Sequence, residues 1–167
     1  MGNVCRTAAI ALYLWGLFMQ FSRLSALGVN ELLYFRVISP EEIGYLFSAA
    51  PAKDFGGTFT SFYDEIFLVP ADPADGCSEL TDREILQGQV ILVERGYAYM
   101  PLYHFDMVTD GSTAKPSIPA LFLLGRDGMM IRRSLQRQAL PWAVISIPVN
   151  VSALASFPFK QPPWTLW

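Results

Sequence analysis

Histidine and cysteine are scarce: the 167-residue chain holds one histidine, His104, and two cysteines, Cys5 and Cys77. Structural zinc sites need four Cys or His ligands, so zinc ribbons and RING modules are excluded, as are HExxH and other multi-histidine centres. Two thiols are also too few for a disulfide scaffold. Basic charge is equally thin. Twelve Lys and Arg stand against fifteen Asp and Glu, for a net charge of -3. Scattered in this way they leave no electrostatic footprint for nucleic acid. No P-loop, GxGxxG or GxSxG sequence occurs, so phosphate cradles and the nucleophile elbow are missing. Asp72, Asp75 and Glu79 gather near Gly76, but Ala71 and Pro73 stand where an EF-hand pattern ending there would need its first two ligands. No catalytic constellation, metal site or cofactor is expected.

Apolar residues are abundant, at 52% of the chain with mean hydropathy +0.31. That is too much for a disordered chain. Residues 1–26 carry 17 of the 87 apolar positions and no acid. Arg6 supplies a positive start, residues 8–21 (AAIALYLWGLFMQF) an apolar stretch, and Leu24-Ser25-Ala26 a small residue at a cleavage point. The uninterrupted run from Thr7 to Met19 falls short of the roughly 20 residues that span a bilayer. These features predict a signal peptide over residues 1–26, cut after Ala26, with an uncleaved signal anchor as the competing reading. Residues 27–167 then form one acidic, proline-rich domain with no further membrane span, secreted through the ER lumen.

Within that domain, short apolar stretches broken by Pro and Gly read as a β-rich fold. Strands are expected at 32–39 (LLYFRVIS), 65–69, 90–94, 118–124 and 142–149. A helical turn or more is expected over 41–47, with Ser39 as N-cap and Pro40 at the first helical position. Asp54-Phe55-Gly56-Gly57 reads as a turn, and 71–76 as a loop. The continuous runs 118–124 and 142–149 read as strands buried on both faces. Asp127 is placed to cap a helix over 128–138, with Met130, Ile131, Ser134, Leu135 and Gln138 on one face and Arg132, Arg133 and Arg137 mostly on another. Strand, helix and strand together predict a βαβ unit.

Three features bear on function. Asn150-Val151-Ser152 is a glycosylation sequon just past a strand, credible behind a secretory leader. Cys77 is the single cysteine left after leader removal, which suggests a free thiol, an intermolecular bridge or a lost partner. A Cys77–His104 hydrolase or redox centre is the enzymatic alternative, though no signature surrounds either residue. Arg132-Arg133 resembles a dibasic processing site, but a helix there makes a solvated face the better reading.

Several segments together resemble the protease-associated (PA) domain family. They are Pro51-Ala52-Lys53-Asp54-Phe55-Gly56-Gly57, Leu68-Val69-Pro70-Ala71, Cys77 with Leu80, the strand Gly88-Gln89-Val90-Ile91-Leu92-Val93-Glu94-Arg95-Gly96, and Ile118-Pro119-Ala120-Leu121 followed by Asp127-Gly128. The resemblance implies an α/β fold, a PA-like β-sandwich or open barrel with flanking helices. It further implies a secreted, N-glycosylated, non-catalytic chain of essentially one domain that acts through protein contacts with partners unnamed. One departure stands out. After Arg-Gly the family continues with Cys-x-Phe, a helix and a further strand, whereas Arg95-Gly96 runs directly into Tyr97-Ala98-Tyr99. The resemblance therefore implies an absent internal helix and strand, unpaired strand edges, and a Cys77 without its expected disulfide partner. A non-functional or ER-retained splice variant of a fuller protein is the corresponding alternative. The aromatic residues of 97–105 and of the 164–167 tail form a candidate contact patch, with packing on the domain's own core as the favoured alternative.

Overall fold

The computed structural model describes residues 32–81, 83–95, 106–109, 111, 116–150 and 160–166. The predicted leader with Ala26, residues 97–105 with Tyr97 and His104, Ser152 of the sequon and Trp167 lie outside the described residues.

Among the described residues six strands form one sheet: β1 (Leu33–Ser39), β2 (Leu46–Pro51), β3 (Tyr63–Pro70), β4 (Val90–Leu92), β5 (Leu121–Leu123) and β6 (Ala143–Ile147), in spatial order β4-β3-β6-β1-β2-β5. Two helices accompany them, α1 (Arg83–Leu86) and α2 (Gly125–Arg137). The fold is mixed α/β with a curled, half-barrel sheet, which fits a β-sandwich or open barrel. Register shifts contribute to the curl. Pairing slips between Val37 and Ser39 on β1 and between Tyr63 and Ile66 on β3, both against β6, and extra residues of this kind bend a strand and increase its twist.

The core follows from the period-two alternation of the central strands. Phe35 and Val37 of β1 and Ala143, Ile145 and Ile147 of β6 are buried, and Ile131 and Leu135 of α2 close over the same cluster. Phe35 stacks on Phe47 with ring centroids 5.3 Å apart. Phe67 stacks on Trp142 at 4.9 Å.

Several sequence expectations are corrected. The helical turn expected over 41–47 is confined to its first three residues. A single 3-10 turn, Glu41–Ile43, follows Pro40 as its cap with no side-chain capping bond, and Leu46 and Phe47 begin β2. Leu46, Phe47, Ala49 and Ala50 are buried on both faces of the sheet, and pairing with β1 outweighs the local capping signal. The β5 run is shorter than expected and lies at the sheet's edge, with Ile118 68% exposed. On β6 the burial alternates, with Val144 and Ser146 only half-buried.

The predicted βαβ unit is also absent. β5 and β6 are separated by β1 and β2, and every pairing between them is antiparallel, so β5 and β6 run opposite ways. The parallel crossover is elsewhere: β3 pairs in parallel with β4, and α1 lies in the connection between them. β4 and β5 are the two outer strands among the described residues. The sheet between them is continuous.

Candidate functional site

Cys77 is a free, exposed thiol in the β3–α1 loop. Its backbone N–H donates to Asp75 Oδ1 at 3.1 Å, and its Sγ lies 3.7 Å from the Asp75 carbonyl oxygen. The Asp75 carboxylate holds the Cys77 thiol above its ordinary pKa, with a hydrogen bond to Asp75 and slight desolvation adding to the shift. A nearby negative charge disfavours the thiolate, which is the reactive form. The acidic trio does not converge either. Asp72 accepts from the Thr81 hydroxyl, Asp75 binds Cys77, and Glu79 pairs with Arg83 at 2.9 Å. Among the described residues no group of three or more His, Cys, Asp or Glu side chains is placed to hold a metal ion.

Asn150 is exposed, three residues past the end of β6, a position open to a bulky modification. Arg132 and Arg133 are separated by the helix. Arg132 faces the domain, pairing with Glu94 at 3.0 Å and reaching the Ala71 carbonyl at 3.4 Å, whereas Arg133 is exposed.

Helix α2 begins earlier than the sequence indicates. Leu124 occupies the N-cap without a side-chain bond, and Asp127 is the third helical residue, buried at 3% exposure. Its side chain serves the carboxy-terminal tail: Trp164, in the 3-10 turn Pro163–Leu166, donates its indole Nε1–H to Asp127 Oδ1 at 2.6 Å. The helix's unsatisfied N–H groups favour a carboxylate at this end. The Arg126 guanidinium lies 5.8 Å from the Trp164 ring centroid, within cation–π range. Trp164 thus packs on its own domain, the favoured alternative for that residue.

Arg126, Met129, Met130, Arg133 and Arg137 of α2 join Trp164 and the Glu41–Ile43 turn around a groove of about 380 Å³. Across it Glu42 pairs with Arg137 and accepts from Ser134 Oγ at 3.3 Å and Gln138 Nε2 at 3.1 Å. Sequence reasoning missed this groove. Its signal was present in the helical spacing of Arg126, Arg133 and Arg137, but an expected helix start at 128 left Arg126 out.

No protein-family model matches the sequence, and no solved structure matches it. A curated protein of Drosophila melanogaster, PRADC1-like protein, is 32% identical over 161 aligned residues, covering 81% of this chain and 82% of the relative. The chain belongs to the PRADC1-like family. The relative's name supports a protease-associated domain, in accord with the resemblance of the sequence.

The chain pairs motif segments of that resemblance at the two ends of the sheet. Leu68, Val69 and Pro70 at the end of β3 pair with Val90, Ile91 and Leu92 of β4. The bend after β2 meets the approach to β5, where Gly57 bridges Pro119 and its N–H donates to the Ile118 carbonyl at 3.0 Å. Gly57 has no room for a side chain: an added Cβ would stand 2.3 Å from the Ser117 carbonyl oxygen. Lys53 and Asp54 in the same bend hold the 106–109 segment, through a 2.9 Å ion pair with Asp106 and a 3.0 Å bond from the Thr109 N–H.

Proposed function

We propose that this chain is a secreted, N-glycosylated PA-domain protein that acts through contacts with other proteins and performs no catalysis, in the pattern of the small secreted protease-associated domain-containing protein one. The observation that carries the proposal is the kinship itself, which extends over 81% of this chain and 82% of a relative named for a protease-associated domain. The exposed Asn150 of the sequon, and residues 1–26 with the signal-peptide pattern, support the secretory part. The raised pKa of the Cys77 thiol weighs against a Cys77-dependent hydrolase or redox centre.

A second reading is a shortened product of the same gene, lacking a helix and strand after Gly96 and retained in the ER. The comparison favours it in one respect. The 161 aligned positions exceed the 81% of the chain that they cover, as happens when a relative carries residues that this chain lacks.

Expression in secretory cells separates the two. Protein in the medium, trimmed by an N-glycosidase in wild type but not in Asn150→Gln, with specific partners recovered by cross-linking, supports the first reading. Retention in cells with protease sensitivity supports the second. Loss of a hydrolytic or redox activity in Cys77→Ser would overturn both in favour of an enzyme.

A further inference from the structure

A rotation of about 100° per residue places Arg126, Met130, Arg133 and Arg137 in one stripe along α2. The stripe runs about 16 Å, at about 1.5 Å per residue, and forms the charged wall of the groove beside Trp164. The chain's own groups only partly satisfy this charge. Arg137 is paired to Glu42 but remains 68% exposed. Arg126 lies 4.0 Å from Asp127 Oδ1, an oxygen already held by Trp164 at 2.6 Å, and its buried Nε has no hydrogen-bond partner. The exposed Arg133 guanidinium has no ion pair or hydrogen bond among the described residues. A chain of net charge -3 therefore carries a recess with three arginines and one acid, walled by thioethers and an indole.

We propose that this groove binds an extended acidic segment of a partner protein. Arg133 and Arg137 are separated by about 6 Å along the helix axis. Residues i and i+2 of an extended chain lie on one face about 6.6 Å apart. Two glutamates or aspartates at that spacing match the two arginines, and guanidinium forks suit carboxylates. An apolar side chain between them meets Met129, Met130 and Trp164, where flexible thioethers adapt to its shape. The length of the stripe exceeds any single small anion, which selects a peptide. The inference rests on the reading of the chain as a protein-contact module.

The test is anisotropy of a short fluorescein-labelled peptide of alternating glutamate and leucine, titrated with the secreted full chain. Saturable binding is expected, weakening as salt rises, and at least about tenfold weaker for a glutamine-leucine peptide that lacks the charge-assisted bonds. Arg133→Glu is expected to weaken binding by at least about tenfold on the same grounds. The fold is expected to persist, because the exposed guanidinium has no ion pair or hydrogen bond among the described residues. Arg83→Gln, outside the groove, should bind as wild type. Absent binding, equal binding of the glutamine peptide, or binding insensitive to Arg133→Glu overturns the proposal. So does loss in Arg133→Glu of adsorption to phosphatidylserine vesicles when the peptide does not bind, which would assign the groove to lipid. If cross-linked partners from the medium persist in Arg133→Glu, the groove fails and the contact-module reading stands. If wild type captures none, that reading itself fails.

Discussion

The indole of Trp164 and the carboxylate of Asp127 meet through a 2.6 Å hydrogen bond that fastens the carboxy-terminal tail to the first turn of α2. The two residues are 37 positions apart in sequence. The bond fixes one end of the arginine-lined groove, because the same indole receives the Arg126 guanidinium. Trp164→Phe keeps an aromatic ring, smaller than the indole, and removes the N–H donor. Since hydrogen bonds to charged groups contribute about 1.5–3 kcal/mol, urea unfolding should show a loss of that order. A midpoint unchanged from wild type would mean that the tail is not held in this way.

Cys77 should be a slow nucleophile. Its folded pKa is raised by the Asp75 charge, so at a given pH below that value more of the thiol is protonated than in an unfolded chain. The alkylation profile with iodoacetamide should therefore rise at higher pH for the folded protein than for the chain in denaturant. Asp75→Asn removes the charge and should move the folded profile to lower pH. Superimposed profiles for wild type and Asp75→Asn would refute the electrostatic cause.

Gly57 should resist even the smallest side chain. An alanine methyl would meet the Ser117 carbonyl oxygen at 2.3 Å. Overpacking of this kind costs about 1–3 kcal/mol, and backbone must move to relieve it. Thermal unfolding of Gly57→Ala is expected to occur at lower temperature than wild type; equal stability would show that the bend and the approach to β5 yield freely.

The core cluster under α2 provides a contrast between buried and exposed isoleucines. Ile131 is 0% exposed and Ile85 is 48% exposed. Ile131→Ala is expected to cost about 2–5 kcal/mol through lost burial and a residual cavity. Ile85→Ala on α1 should stay within about 0.5 kcal/mol, as surface substitutions usually do. Denaturant titrations of the two variants check the ranking, and comparable losses would contradict the packing described.

Local sequence determined a good deal of this protein. Apolar stretches bounded by Pro marked β1 and β6, Pro40 ended the first strand, and Gly56, at φ 83°, sits in the bend that its dipeptide with Gly57 announced. The same local rules misplaced what depends on distant partners. Residues 46–47 carried a helix-start signal upstream, yet pairing with β1 made them strand. Asp127 looked like a cap, but its carboxylate is taken by Trp164 from the tail, and the helix begins at Gly125. A strand–helix–strand pattern read as a parallel unit, although strand order and direction are set by sheet pairing across the whole chain.

The candidate site divides in the same way. The sequon at Asn150 and the solitary thiol at Cys77 could be read directly, because each is a property of neighbouring residues. The groove could not, since Arg126, Arg133 and Trp164 become neighbours only when the tail folds back onto α2. Sequence by itself determined the acidic, apolar composition and the local elements, which depend on side-chain chemistry and short-range sterics. Only the tertiary structure decided which charges were neutralised and which were left facing an open recess, because that balance depends on distances between residues far apart in the chain.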